Sequence, residues 1–405
     1  MRILIVTAGS RGDVAPFTGL GRRLLDVGHR VTVATHPPFA SLVGGCGLDH
    51  RSLPGDPYEL IRARTRASSP EEVRAATTEF LGQLADGVVA AVADGTDLVL
   101  TAFGPASFSQ AAGEAVGVPV IGTYLAPAFA TREFPLPGMP DGDDLGPEGN
   151  VAAGRALLAR AGALQDGLLT RLRARLGLPT AASQARAGEI RPVFHGFSPL
   201  VVPRPADWPS EVEVTGYWWP ARPHGWRPPA ELVDFLQAGP APVFIGFGSM
   251  APGQGERLAE LVVAAAARAK VRAVVQAGWA GLSAVGDDVL AIGDLPHDWL
   301  FPRTSAVVHH AGAGTTAAGL RAGVPAVAVP VMADQPYWAD RLHRLGVAPR
   351  PLPFHELTAE ALGTAITACT AEPGHRRRAV ELAHHIAAED GAAAVLGRIG
   401  VAHDG

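Results

Sequence analysis

The stretch Ala306-Val307-Val308-His309-His310-Ala311-Gly312-Ala313-Gly314-Thr315-Thr316 decides how the chain reads. It opens with a short apolar run, the end of a buried strand. Two histidines follow, then a small-residue turn at Gly312 and Gly314, then hydroxyls at Thr315 and Thr316. Ala317-Ala318-Gly319-Leu320-Arg321-Ala322 continues as a helix. A strand that turns through glycines into a helix start points free backbone N–H groups and the positive end of the helix dipole one way. Such a turn can cradle a diphosphate, because glycine permits close backbone approach and threonine hydroxyls add donors. His310 can donate a further hydrogen bond to a phosphate oxygen. Taken alone, the stretch is also readable as an ordinary βα turn, which favours Gly and Thr in any α/β sheet.

Outward from it the same grammar recurs. Upstream, Pro242-Val243-Phe244-Ile245-Gly246-Phe247-Gly248-Ser249-Met250 is a strand entering a second Gly-rich turn, and the apolar stretch 258–267 is its helix. Strands are expected at 271–276, 289–292, 306–308 and 326–329, with helices between. The second half therefore reads as a doubly wound parallel sheet with two phosphate-capable turns, Gly248-Ser249 and His310 to Thr315. After the last of these strands come Asp334 and Gln335, an acid and an amide able to bind sugar hydroxyls. Asp334 is equally readable as a helix N-cap with Pro336 in the first turn.

The N-terminal half follows the same α/β logic. Ile3 to Thr7 is continuously apolar, as a strand buried on both faces requires. Phe17, Leu20, Leu24, Leu25 and Val27 then recur at helical spacing, and Val31-Thr32-Val33-Ala34-Thr35 is a second strand. Asp13 sits in the crossover between them, at the carboxyl end of a strand where open α/β sheets hold ligands. Arg11 and Val14 stand where G-x-G-x-x-G needs glycine, which counts against a dinucleotide site. Asp13 is readable either as a helix N-cap or as a cleft carboxylate able to take a proton. Further strands are expected at 97–101 and 118–122, with helices at 107–116 and 151–176. Asp141-Gly142-Asp143 is formally a D-x-D, but it lies in a Pro/Gly-dense loop that follows no strand and reads as solvated.

Composition bounds the rest. With 405 residues the chain is expected to fold as more than one domain, and 47% hydrophobic residues suffice for two cores. A net charge of −5 and the absence of a basic run exclude the usual nucleic-acid binder. Cys46 and Cys369 are far apart and form no metal-type spacing. The N-terminus is a strand and not a signal peptide, and no apolar run is long enough to span a bilayer. A cytoplasmic protein is expected. The Pro- and Trp-rich run from Val201 through Pro229 suits a stiff connection with little regular structure. The expected layout is a first α/β domain over 1–204, a linker over 205–240, a second α/β domain over 241–385, and a last helix over 386–405.

Together these residues resemble the family 1 glycosyltransferases of the two-Rossmann-domain (GT-B) class, over nearly the whole chain. The resemblance implies that 1–204 is the acceptor-side domain, that 241–385 is the nucleotide-sugar domain, and that the helix over 386–405 crosses back to the first. The sterol glucosyltransferase-like branch and its antibiotic-glycosylating bacterial relatives are the nearest in pattern. The pieces that carry the resemblance are Gly9 to Val14, Gly28 to His36, Pro203 to Pro209 with Gly216-Tyr217-Trp218, Gly246 to Met250, Pro296 to Pro302, His309 to Thr316 and Asp334-Gln335. The resemblance implies that Ser249, His310, Gly312, Gly314 and Thr315 hold the donor diphosphate and that Asp334 and Gln335 hold the sugar. Leu295 and His297 fall where the family contacts the base, with Asp294 in the place of the usual base-stacking Trp. Asp13 takes the position of the family's first-loop base. Ser10, Phe103, Tyr124, Phe129, Phe134 and Met139 are the expected acceptor wall.

The function so implied is an inverting transfer of a hexose, UDP-glucose being the favoured donor, to a hydroxyl of an apolar sterol, triterpene, polyketide or macrolide in secondary metabolism. No metal or other cofactor is expected, the UDP-sugar being a co-substrate. Peripheral contact with a membrane surface stays open. The rival readings are a sugar-nucleotide epimerase of the same fold, an antibiotic glycosyltransferase using a dTDP-deoxysugar, and a catalytically idle nucleotide-sugar binder.

Overall fold

The computed structural model describes residues 1–139, 143–180, 192–248, 254–278, 286 and 288–401. Two parallel sheets organise them. The first has seven strands in the order β3-β2-β1-β4-β5-β6-β7. These are β1 Arg2–Val6, β2 Arg30–Thr35, β3 Asp49–Ser52, β4 Leu98–Thr101, β5 Val120–Tyr124, β6 Val193–His195 and β7 Val212–Val214. The second has five in the order β10-β9-β8-β11-β12. Its strands are β8 Val243–Gly246, β9 Ala273–Gln276, β10 Val289–Ile292, β11 Ala306–His309 and β12 Ala326–Ala328. The central strands are buried from end to end, which is why their sequences are unbroken apolar runs.

Strand order fixes where ligands go. In the first sheet the chain reverses direction of winding between β1 and β4; in the second, between β8 and β11. At such a switch point neighbouring crossovers leave on opposite faces, and a crevice opens beyond the carboxyl ends of the strands. The loop after β1 carries Ser10 and Asp13, and the loops after β8 and β11 carry Gly248 and His310. Both crevices open towards each other. The helix Arg11–Asp26 starts where the helix Ala313–Ala322 starts, so closely that a Cβ on Gly314 would lie 4.0 Å from the Gly12 Cα.

The stretch expected to connect the domains without regular structure is more ordered than its Pro and Trp content implies. Trp208 is core, and Val212–Val214 completes the first sheet as β7. The helix Ala230–Gln237 packs Leu232 into the second sheet's core beside Phe244 and Val274. The irregular parts are 201–211, 215–229 and 238–242. A three-residue edge strand leaves too short a period to read among prolines.

The domains are pinned together away from the cleft. Trp338, on the helix Gln335–Arg344, meets Phe197 at 6.1 Å, and Tyr337 meets Phe134 at 5.6 Å. On the same helix the Arg341 guanidinium donates to the Val201 carbonyl at 3.0 Å. The last helix, Gly391–Val401, inserts Ala392, Val395 and Ile399 among Ile3, Phe17, Leu20 and Trp218 of the first domain. Arg23–Asp390 and Arg398–Glu213 ion pairs, at 2.8 and 2.6 Å, flank that contact.

Backbone meets backbone at one point of this seam. A Cβ on Gly391 would lie 2.3 Å from the Gly216 oxygen, and the Trp218 indole N–H donates to the Gly391 carbonyl at 3.2 Å. Gly397, on the same helix, faces open space. Gly391→Ala is therefore expected to cost about 1–3 kcal/mol through overpacking. Gly397→Ala should be neutral or stabilising by up to about 1 kcal/mol through helix propensity. Chemical denaturation of the two variants measures this; equal effects would mean the last helix does not dock as described.

Candidate active site

The first wall is the loop after β1. The Ser10 backbone N–H and hydroxyl both donate to Asp13 Oδ2, at 2.6 and 2.9 Å. The Thr7 hydroxyl donates to the Asp13 carbonyl at 2.7 Å. Ser10 is thus the N-cap of the helix Arg11–Asp26 and Asp13 its N3 partner in a capping box. The reading of Asp13 as the N-cap itself is corrected by one turn position. Gly9 is required here: its φ is +131°, and a Cβ would lie 2.4 Å from Asp13 Oδ2.

Both bonds fall on Oδ2, and among the described residues none reaches Oδ1. Burial at the base of the cleft is the largest influence on this carboxyl and pushes its pKa up to about 6, with Ser10 opposing and the Asp334 charge adding. In the ligand-free protein, however, the residue is exposed to the open cleft, which screens the shift. The full shift is therefore felt when a bound molecule fills the cleft.

The second wall is the turn after β11. His310 is packed between glycines of two turns: a Cβ on Gly248 would lie 2.7 Å from its Cε1, and one on Gly312 would lie 2.6 Å from its Nε2. Any side chain at either position would displace the ring. Burial lowers the His310 pKa to about 4, so the ring is a neutral donor at pH 7. His309, wholly buried, accepts the Ala311 N–H on Nδ1 at 3.1 Å and is held down to about 3 by burial. Its role is to shape the turn. Gly312 caps the helix Ala313–Ala322 with no side chain of its own, leaving first-turn N–H groups towards the cleft. Gly314 is exposed and Thr315 half-buried beside them, while Thr316 turns inward. Ser249 lies outside the described residues, as do Asp141 and Gly142 of the D-x-D.

Asp334 and Gln335 start the helix Gln335–Arg344, and neither does what a cap would do. The Trp338 indole N–H donates to Asp334 Oδ2 at 2.8 Å, and burial raises the carboxyl's pKa. Gln335 uses its carbonyl oxygen to accept the Val331 and Met332 N–H groups at 2.8 and 3.1 Å. This fixes the preceding loop and leaves the Gln335 amide N–H₂ as its remaining donor. His297 stacks on Phe301 at 4.4 Å and is lowered to about 4, first by burial and then by the nearby Arg11 charge. The Leu295 side chain lies in the core, so contact with a base at that position falls to its backbone.

The expected acceptor wall divides. Phe103 is 50% exposed and stands edge-on to Tyr124 at 5.4 Å, with Ser10 on the same side of the cleft. Tyr124 meets His195, and His195 stacks on Trp208 at 4.9 Å with Phe129 over it. Tyr124, Phe134 and Met139 are all buried, so Phe103 is the exposed member of the set. His195 carries no sequence signal beyond its place at a strand end. A second residue missed from sequence is Arg11, which reaches across the cleft to Asp294 at 3.8 Å.

Comparison with known proteins agrees with this architecture. Residues 3–135 match the family described as glycosyltransferase family 28 N-terminal domain. Residues 260–400 match that described as erythromycin biosynthesis protein CIII-like, C-terminal domain. The chain is 37% identical to O-mycaminosyltylonolide 6-deoxyallosyltransferase of Streptomyces fradiae, over 96% of this chain and 95% of that one. It is 35% identical to sterol 3-beta-glucosyltransferase UGT80A2 of Arabidopsis thaliana, over 90% of this chain but only 60% of that one, so it spans three-fifths of the plant protein. Among solved structures, the glycosyltransferase of kitacinnamycin superposes with a TM-score of 0.74 at 21% identity, covering 98% of both chains. Glycosyltransferase VinC in complex with DTDP does so with 0.70 at 21% identity, covering 100% of both. At that identity the likeness is one of fold. Among the described residues no helix is long and apolar enough to cross a membrane.

In the ligand-free protein the His309 and His310 ring signals should not titrate between pH 5 and 8, since burial keeps both neutral. NMR of ring-labelled histidine reads this directly; a midpoint near 6.5 for either would contradict the burial described.

Proposed function

The chain belongs to the GT-B glycosyltransferases, in the branch shared by sterol and antibiotic glycosyltransferases, and from that premise we propose an inverting, metal-independent transfer of a hexose from a nucleoside diphosphate sugar to a hydroxyl of an apolar acceptor. The observation that carries the reading is the opposition of two helix starts, one bearing Asp13 and the other offering backbone donors beside His310. UDP-glucose is the donor proposed first. A dTDP-deoxyhexose is the second reading, favoured by the Streptomyces relative named as a 6-deoxyallosyltransferase and matched over 95% of its length. The proposed acceptor is a sterol, triterpene or macrolide lying against Phe103, which Tyr124 backs from beneath.

In this mechanism the acceptor hydroxyl approaches from the first domain and attacks the anomeric carbon. Its proton passes to Asp13 as the new C–O bond forms. The bond from that carbon to the diphosphate breaks on the opposite face, and the electron pair leaves with the phosphate oxygen. First-turn N–H groups of the helix Ala313–Ala322, the Thr315 hydroxyl and neutral His310 meet the growing charge. These donors take the part a divalent ion plays in other transferases. Asp334 and the Gln335 amide orient the sugar, and alignment of the two substrates supplies most of the rate. The idle-binder reading is disfavoured by the polarised, half-open carboxylate of Asp13.

Mass spectrometry of products from a panel of sterols, triterpenes, macrolides and flavonoids, offered with UDP-glucose or a dTDP-sugar, tests the reading as a whole. No transfer to any acceptor from either donor would overturn it. Turnover should persist in EDTA; loss restored by Mg²⁺ or Mn²⁺ would remove the metal-independent mechanism. The acid limb of kcat, which reports the filled cleft, should rise with pH through about 6 as Asp13 loses its proton. Asp13→Asn keeps an acceptor for Ser10 but not the base, so turnover should fall about a hundredfold or more with nucleotide binding retained. His310→Ala should weaken binding and turnover together. Near-normal turnover in Asp13→Asn would move the base elsewhere, to Asp334 first.

A further inference from the structure

Arg11 is the first residue of the helix Arg11–Asp26 and belongs to the acceptor-side domain, yet its side chain points at the other one. Its guanidinium approaches Asp294 Oδ2 at 3.8 Å, with the two side chains 45% and 60% exposed. No hydrogen bond joins them among the described residues, so this is a loose, water-screened pair of the kind worth little to stability. Asp294 is held by a different partner: the Gln276 amide donates to its Oδ1 at 2.9 Å. The positive charge of Arg11 is felt at His297, on the second domain's wall. The next residue, Gly12, lies against Gly314 at the start of the opposing helix. A cation thus stands at the mouth of the turn made by His310, Gly312 and Gly314, and its ion pair among the described residues is with an acid that has another partner.

We propose that Arg11 is a diphosphate-binding residue supplied in trans by the acceptor-side domain, and that Asp294 parks it when no donor is bound. The proposal rests on the nucleoside diphosphate sugar reading above. A guanidinium grips phosphate oxygens through two parallel N–H bonds, which a 3.8 Å approach to a carboxylate does not provide. Donor arrival therefore exchanges a weak partner for a strong one. The exchange joins the domains across the cleft. It also sets the register of Asp13, two residues on in the same rigid turn, against the anomeric carbon. As the bond to the diphosphate breaks and its electron pair leaves with the phosphate oxygen, Arg11 meets that charge from the side opposite His310. Once the sugar has gone, Asp294 competes for Arg11 and assists release.

The test is calorimetric titration of UDP and dTDP into wild type, Arg11→Gln, Arg11→Lys, Asp294→Asn and His310→Ala, with steady-state rates alongside. Arg11→Gln should weaken nucleoside diphosphate binding about tenfold or more, as loss of a charge-assisted hydrogen bond does, and lower kcat. Arg11→Lys should fall between Arg11→Gln and wild type. Asp294→Asn removes the competitor, so affinity should hold or tighten. A pair that served only to clasp the domains would make Arg11→Gln and Asp294→Asn weaken binding alike, and that result would overturn the proposal. So would unchanged affinity in Arg11→Gln where His310→Ala weakens it, which leaves the donor site standing. A wild type that binds neither nucleotide would remove the donor reading and this proposal together.

Discussion

Two helix starts facing each other at van der Waals distance is the constraint on which the structure depends. Each helix N-terminus carries roughly half a positive charge, and bringing two together is unfavourable unless negative charge lies between. Asp13 sits on one of them, and Asp334 and Asp294 face the gap. The apposition is maintained from behind, by Trp338 and Tyr337 against Phe197 and Phe134 and by the last helix buried against the first domain's core. Packing behind the cleft thus holds open a site lined by two helix starts. In the function proposed, the donor's diphosphate is the anion those helix starts meet.

Local backbone conformation serves the same end. Among the described residues, three that are not glycine have positive φ, and two of them flank the site: Ala311 at 60° and Ala333 at 58°. Such conformations cost on the order of 1 kcal/mol each and persist where surroundings enforce them. Ala311 is fully buried and its N–H is taken by His309, which holds His310 between Gly248 and Gly312. Ala333 precedes Asp334, whose carboxylate is caught by Trp338. In both loops a strained residue aims a side chain of the candidate site that a relaxed turn would misdirect.

What the sequence disclosed followed from locality. Strands β1, β8 and β11 announce themselves as apolar runs leading into glycine turns, and those runs locate both switch points and therefore the cleft. The edge strand β3, Asp-His-Arg-Ser, shows no hydrophobic period because it is barely buried. β7 is hidden among prolines. Asp13 was legible as a cleft carboxylate, but whether it capped the helix depended on Ser10, which the structure decides. Phe134 could not be told from Phe103, since burial of loop aromatics is set by distant partners such as Trp208 and Tyr337. Arg11 was readable only as an interruption of a glycine motif; its partner Asp294 lies in the other domain, and no local pattern couples them.

The central claim is that an acceptor oxygen activated by Asp13 attacks from one domain while the diphosphate departs into the other, in one displacement. Stereochemistry reports on that geometry more directly than any rate. The product formed from an α-linked nucleotide sugar should be examined by NMR for the proton coupling at its anomeric centre. The geometry requires the β-glycoside; an α-glycoside, with configuration retained, would contradict it.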